Sequence, residues 1–214
     1  MIELLLQPEV QQFILEHELD DEKKLVLKHR TIHHVPSSVI AEQISGRKKA
    51  KTKLPLYYKS TGIVYPPGLN LEQSSSEETA VFKSKTLNSI LGKDKILADL
   101  TGGFGIDSFF FSTVFKKVYY IEPNASLLSF ARHNHEILKT KNIEYNNTSA
   151  EDFIKSGPKN LDCVFIDPSR RNKSNQKVFK LSECEPDIPA LLSAIFQKTD
   201  CLLIKTSPLL DIQQ

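Results

Sequence analysis

The stretch Lys95 to Asp107, KILADLTGGFGID, sets three glycines, Gly102, Gly103 and Gly105, between two carboxylates, Asp99 and Asp107. Glycines at that density strip side chains from a turn, so a ligand can approach the backbone. An acid on either side of the turn suits a partly cationic ligand better than a naked phosphate. Glu122 follows at about 20 residues, the offset at which an acid in a nucleotide-binding strand–helix–strand unit reaches ribose hydroxyls. Two further groups join the set: Ala150, Glu151 and Asp152, then Asp167, Pro168, Ser169 and Arg170.

The elements that must carry these residues can be read from periodicity. Short apolar runs end just before each group: Ile96 to Leu100, Lys117 to Ile121, Ile143 to Asn147, Leu161 to Ile166, and a fifth at Cys201 to Lys205. Between them lie helical patterns through Phe109, Phe110 and Val114, from Ala125 to Leu138, and from Asp187 to Gln197. Strands alternating with helices predict a parallel sheet covered on both faces. Ligands bind such sheets at the carboxyl ends of the strands, where every candidate acid falls. Three ligands are open on this reading: NAD, FAD and S-adenosylmethionine. Gly103, Gly105 and Ser108 match the dinucleotide pattern G-x-G-x-x-G only in part. Asp99, the Ala150 to Asp152 group and Asp167-Pro168 together fit an adenosyl cofactor better. Glu151 and Asp152 also read as simple helix-opening acids.

The 214 residues, 40% of them hydrophobic, suffice for one good-sized core and a small satellite. A formal net charge of +2 neither demands nor excludes a nucleic-acid partner. Cys163, Cys184 and Cys201 lack metal-ligand spacing and read as free thiols in a reducing compartment, with no metal site. No signal peptide or membrane-spanning run is evident, and a cytoplasmic location is expected. Residues from Pro8 to Gly46 alternate apolar and charged positions at helical spacing and predict a small helical unit. Arg47, Lys48, Lys49, Lys51 and Lys53 then form a basic run, either a solvated helix end or a contact for RNA phosphates. Leu54 to Leu71, punctuated by prolines and glycines, predicts an extended or hairpin connection; its tyrosines either cover a core edge or stack on bases. Ser74 or Ser75, three positions before Glu77 or Glu78, predicts capping boxes for a helix ending at Gly92.

DLTGGFGID, YIEPN, SAEDF and FIDPSRR resemble motifs I to IV of class I S-adenosylmethionine-dependent methyltransferases. EQSSSEETAVFK resembles the helix that precedes motif I and closes over the methionine end of the cofactor. The run DPSRRNKSNQKVFKLSECEPDIPALL resembles a bacterial branch whose members have a THUMP-like RNA-binding segment beyond the catalytic domain. The resemblance covers roughly Leu71 onward. It implies an α/β, Rossmann-like methyltransferase sheet, incomplete after the fifth strand, with a helical N-terminal extension. The domains expected are a helical region at 1–53, a connecting segment at 54–72 and a methyltransferase domain at 73–214. Two more strands usually follow the fifth in such sheets. A chain cut short is therefore expected, its fifth strand an exposed edge open to self-association.

By that resemblance the cofactor is S-adenosylmethionine. Gly102, Gly103 and Gly105, with Thr101, would lie against it and Asp99 beside its methionine portion. Glu122 would hold the ribose, and Ala150, Glu151 and Asp152 would flank the adenine. Asp167, Pro168, Ser169 and Arg170 occupy the place where enzymes acting on exocyclic base amines resemble one another in an Asp/Asn-Pro-Pro-aromatic sequence. Here serine and arginine replace the second proline and the aromatic. Arg170 could stack on a base or hold a phosphate, with Arg171 and Lys173 extending the charge. The pattern is also similar to that of RNA uracil-5 methyltransferases, which need a cysteine just after the fifth strand. Lys205, Thr206, Ser207 and Pro208 stand there instead, which argues against covalent pyrimidine chemistry. His133 and His135 are expected at a helix surface. The function implied is methylation of a base nitrogen in RNA, tRNA or rRNA. Two alternatives stay open: a non-catalytic cofactor-binding RNA module, and a methyltransferase for a small molecule or a protein.

Overall fold

A computed structural model describes residues 1–169, 178 and 180–206. The chain opens with helices α1 (Ile2–Leu5), α2 (Pro8–Glu16) and α3 (Glu22–Lys28). A two-residue hairpin follows, β1 (Thr31–Ile32) and β2 (Val35–Pro36), then the long α4 (Ser37–Lys53). The connection to the sheet is helical: α5 (Pro55–Lys59), α6 (Gly68–Gln73) and α7 (Glu77–Leu91). Strands and helices then alternate as β3 (Ile96–Asp99), α8 (Ile106–Ser112), β4 (Lys117–Ile121), α9 (Ala125–Ile137), β5 (Ile143–Asn146), α10 (Ala150–Ser156), β6 (Cys163–Ile166), α11 (Ile188–Phe196) and β7 (Leu202–Ile204).

The five later strands form one parallel sheet in the order β5-β4-β3-β6-β7. The order reverses beside β3, so the glycines after it lie at the topological switch point, where ligands bind in open α/β sheets. Period-two alternation divides the sheet residues between two cores. Ala98, Ile121, Val164 and Ile166 pack against Phe153 and Ile154 of α10 and Leu191 and Ile195 of α11. Leu97, Val118 and Phe165 pack on the other face against Leu87 of α7 and Phe111 of α8. Among the described residues the sheet edges are β5 and β7.

The N-terminal helices have a core of their own, built on Val10, Ile14, Leu25, Ile40 and Ile44. A second cluster joins them to the sheet's helices, with Ala50, Leu54, Tyr57 and Tyr65 against Phe104, Ile106 and Phe109. Two buried amides fasten this junction by bonding backbone that has no sheet partner. Gln43 bonds the N–H and carbonyl of Tyr65 at 2.8 Å each, and Asn134 bonds those of Val64 at 3.0 and 2.8 Å.

Two expectations need correction here, and the basic run and the tyrosines can be placed. Residues 54–71 are two short helices around a Pro/Gly-rich link, because Pro55 and Gly68 occupy first-turn helical positions. Helix α7 is capped by Ser76, whose Oγ accepts from the Thr79 N–H at 3.2 Å; Ser75 is drawn away by a bond to Asp107. The basic run mostly meets acids of the same chain: Arg47 pairs with Glu18 and Lys48 with Glu22 at 2.7 Å each, and Lys49 with Glu72 at 2.5 Å. Tyr57 and Tyr65 lie inside the core, leaving no ring face for a base.

Helix α4 approaches Tyr65 so closely that a Cβ at Gly46 would lie 2.5 Å from the tyrosine's own Cβ. The neighbour is a constrained part of a side chain and cannot swing aside. Gly46→Ala should therefore lower the unfolding free energy by about 1–3 kcal/mol, the usual cost of overpacking, read as a lower urea midpoint at unchanged m-value.

Candidate functional site

The glycine turn is held by its own surroundings. The Gly102 N–H bonds the Ile121 carbonyl at 2.8 Å and the Gly105 N–H bonds the Gly102 carbonyl at 2.8 Å. Gly103 and Gly105 have φ of +53° and +85°, conformations that glycine adopts without penalty. A side chain at Gly102 would reach within 2.4 Å of the Tyr120 ring, and one at Gly105 within 2.8 Å of the His135 ring. Those two glycines are required by the rings beneath them. At Gly103 the nearest atom to an added Cβ is a backbone oxygen at 3.7 Å, so this position offers the open face.

Glu122, at the end of β4, accepts from the Gly103 N–H and from the Asn124 N–H, 2.8 Å each, one on each carboxylate oxygen. Burial pushes its pKa up, and the two backbone N–H groups pull against that. Each oxygen keeps further acceptor capacity for a ligand hydroxyl. Asp99 is fully buried, with Oδ2 2.6 Å from the Ser108 hydroxyl and Oδ1 accepting from the Thr101 N–H at 3.1 Å. Desolvation raises its pKa to about 7. It therefore lies beneath the turn, tying it to α8. Asp107 is also withdrawn: Lys83 of α7 meets it at 2.5 Å and the Ser75 hydroxyl donates to it at 2.7 Å. Lys83 also donates to Ser75 at 2.9 Å and sits 4.7 Å from the centre of the Phe165 ring. The expected pair of acids flanking a cationic ligand is thus already neutralised or satisfied within the protein.

Asp167, just past β6, joins this assembly through its backbone: its N–H donates to Thr101 Oγ1 at 2.7 Å. Its carboxylate receives Lys205 Nζ at 2.5 Å. Pro168 is buried, while Ser169 is exposed and pairs backbone to backbone with Glu185 at 2.8 and 3.2 Å. Ala150 is buried, Glu151 half-buried and Asp152 exposed, all in the first turn of α10, whose Ser149 cap bonds the Asp152 N–H at 3.1 Å. Arg170, Arg171, Lys173, Ser207 and Pro208 lie outside the described residues. No group of His, Cys, Asp and Glu suited to a metal ion occurs among the described residues.

His135 overturns the expectation of a surface histidine. It is fully buried, its Nε2–H donating to the Gly105 carbonyl and its Nδ1 accepting from the Tyr145 hydroxyl, both at 2.9 Å. A carbonyl can only accept, which fixes the tautomer. The signal was present in the spacing: Leu127, Ala131, Asn134 and His135 form one buried stripe of α9. Lys83 likewise lies on the stripe Ala80, Lys83, Ser84, Leu87 of α7.

No protein-family model matches the chain. A stretch of 144 residues, 67% of this chain, is 26% identical to an uncharacterized RNA methyltransferase of Mycoplasma mobile. The crystal structure of a Porphyromonas gingivalis W83 protein assigned as a methyltransferase superposes on 94% of this chain with a TM-score of 0.71 and 24% identity. The chain spans 39% of the first protein's length and 49% of the second's. The likeness in structure establishes that the chain has the α/β, Rossmann-like fold of that protein.

Burial lowers the His135 pKa to about 4, so between pH 6.5 and 4 the unfolded chain binds a proton that the native state refuses. That contribution weakens the fold as pH falls. Asp99, raised to about 7, acts oppositely: above pH 4 the unfolded chain releases its proton first, and the fold weakens as pH rises toward 7. Relative to the parent protein, His135→Gln should gain about 2–3 kcal/mol on going from pH 7 to 4.5, and Asp99→Asn should lose a similar amount over the same interval. Urea titrations at both pH values read the difference; slopes of the same sign in the two variants would contradict it.

Proposed function

We propose that the chain is the catalytic part of an S-adenosylmethionine-dependent methyltransferase acting on a base nitrogen of RNA, either tRNA or rRNA. The observation that carries the reading is the meeting of three strand ends: Glu122 grips Gly103, and Thr101 of the same turn grips the backbone of Asp167. This joins a ribose-binding candidate to an acceptor-binding candidate across the switch point of the sheet. The relatives' names support the same reading.

In this proposal the open face at Gly103 receives the cofactor, Glu122 holds its ribose, and Ala150, Glu151 and Asp152 border its adenine. Asp99 acts from beneath the turn, on the methionine side. The cofactor supplies an electrophilic methyl group on a sulfonium. Asp167, with the backbone at Pro168 and Ser169, orients the acceptor nitrogen toward it, and Arg170 aids substrate placement. Transfer of this kind depends chiefly on proximity and alignment. The methyltransferase portion is taken as 73–214, with 1–53 and 54–72 as a supporting helical region. A THUMP-like RNA-binding segment would lie elsewhere in the whole protein. A cytoplasmic setting fits such a substrate; among the described residues no helix is long and apolar enough to cross a membrane.

Calorimetric titration should show binding of S-adenosylmethionine and none of NAD. Glu122→Ala should weaken that binding at least tenfold, whereas Asp167→Ala should leave it within about twofold and abolish methyl transfer to RNA, given the cost of losing hydrogen bonds to a buried charge. Binding of NAD alone, or full transfer by the Asp167 variant, would overturn the assignment.

A further inference from the structure

Lys205 stands just past β7, where a cysteine would be needed for covalent pyrimidine chemistry. Its backbone N–H bonds the Ile166 carbonyl at 2.9 Å, which registers the end of β7 against the residue preceding Asp167. Its ammonium is 2.5 Å from Asp167 Oδ2, and both side chains are only partly exposed, at 33% and 26%. An ion pair at that depth is screened far less than a surface pair. Asp167 itself makes no other side-chain bond among the described residues, so Lys205 alone orients the carboxylate there.

We propose that Lys205 is a positioning residue for the acceptor site, holding the Asp167 carboxylate ionised and in one orientation so that it can take the proton that an acceptor nitrogen must lose. This rests on the reading of Asp167 as the group that meets the acceptor. In the step concerned, the nitrogen lone pair forms the N–C bond, the C–S bond breaks with its electron pair going to sulfur, and the N–H proton passes to Asp167 and on to solvent.

Among the described residues the other charges facing Asp167 cannot do this. Asp107 of α8 opposes its ionisation, and Lys83 of α7, which favours it, is committed to Asp107 at 2.5 Å. Lys53 of α4 is itself disfavoured as an ammonium, by burial first and then by the nearby Lys205, and its Nζ is taken up by the Leu71 and Glu72 carbonyls at 2.8 and 2.7 Å. Burial raises the Asp167 pKa above the usual carboxylate value, and Lys205 is the chief influence opposing that rise.

The test compares the parent protein with Lys205→Met and Lys205→Arg, each checked for folding by thermal melting. The Asp167 carboxyl is titrated without cofactor by carbon NMR, its resonance assigned by its loss in Asp167→Asn. Methyl transfer from labelled S-adenosylmethionine to total cellular RNA is followed from pH 5 to 9. In Lys205→Met, Asp167 should titrate at least one pH unit higher, and the acid limb of the rate profile should move by the same amount. Lys205→Arg should restore both, and the affinity for S-adenosylmethionine should stay within about twofold. An unmoved Asp167 titration overturns the proposal, as does a lower rate without a shifted limb, the mark of a merely structural role. If the parent protein transfers no methyl group to RNA, the functional reading fails on its own; the NMR titration still decides whether Lys205 governs Asp167.

Discussion

One residue, Gly103, is gripped from both sides of its backbone: Glu122 accepts its N–H at 2.8 Å and the Tyr120 hydroxyl donates to its carbonyl at 2.6 Å. Both partners come from the end of β4, so the turn after β3 is bound to the neighbouring strand by side chains as well as by the sheet ladder. His135 adds a third hold on the Gly105 carbonyl from α9. A turn with two residues at positive φ has many alternatives in a free chain, and these bonds remove them before any ligand arrives. The rest of the site inherits its geometry from this turn, because Thr101 then places the backbone of Asp167 and Asp99 places the start of α8 through Ser108.

The sheet was legible in the sequence because its information is local. The central strands show it: the apolar runs ending at Asp99, Glu122 and Asp167 mark buried parallel strands whatever they pack against. The carboxyl-end residues Asp99, Glu122 and Asp167 were found for the same reason. What the sequence did not reveal depends on partners far along the chain. Arg47 meets Glu18 across 29 residues and Lys48 meets Glu22 across 26, so a run that reads as free positive charge is largely spent within the fold. Lys205 meets Asp167 across 38 residues, and no spacing rule connects them.

The glycines show a different limit of sequence reading. Their density correctly marks a turn, yet it does not say why each is needed. Tyr120 and His135 occupy the space that side chains at Gly102 and Gly105 would fill, while Gly103 alone among the three faces open space. Burying His135 and the Tyr145 hydroxyl together costs less than burying either, since each satisfies the other at 2.9 Å. The aromatic packing of this layer is therefore tied to a polar chain that ends on the glycine turn.

The three acids at the strand ends are chemically alike and are set apart by their neighbours. Among the described residues Asp99 has no cation bonded to it, only the hydroxyls of Ser108 and Thr101 and the Thr101 N–H, and its depth brings its pKa to about 7. Glu122 is met by two backbone N–H groups, which favour a carboxylate with acceptor capacity to spare. Asp167 has a lysine at ion-pair distance that opposes the upward pull of burial on its pKa, and a quarter of its side chain is exposed, so it is the most reachable of the three. The same carboxyl group thus meets three different environments, each set by its neighbours. It follows that replacing one acid cannot be compensated by the others, even though they lie on adjoining strands of one sheet.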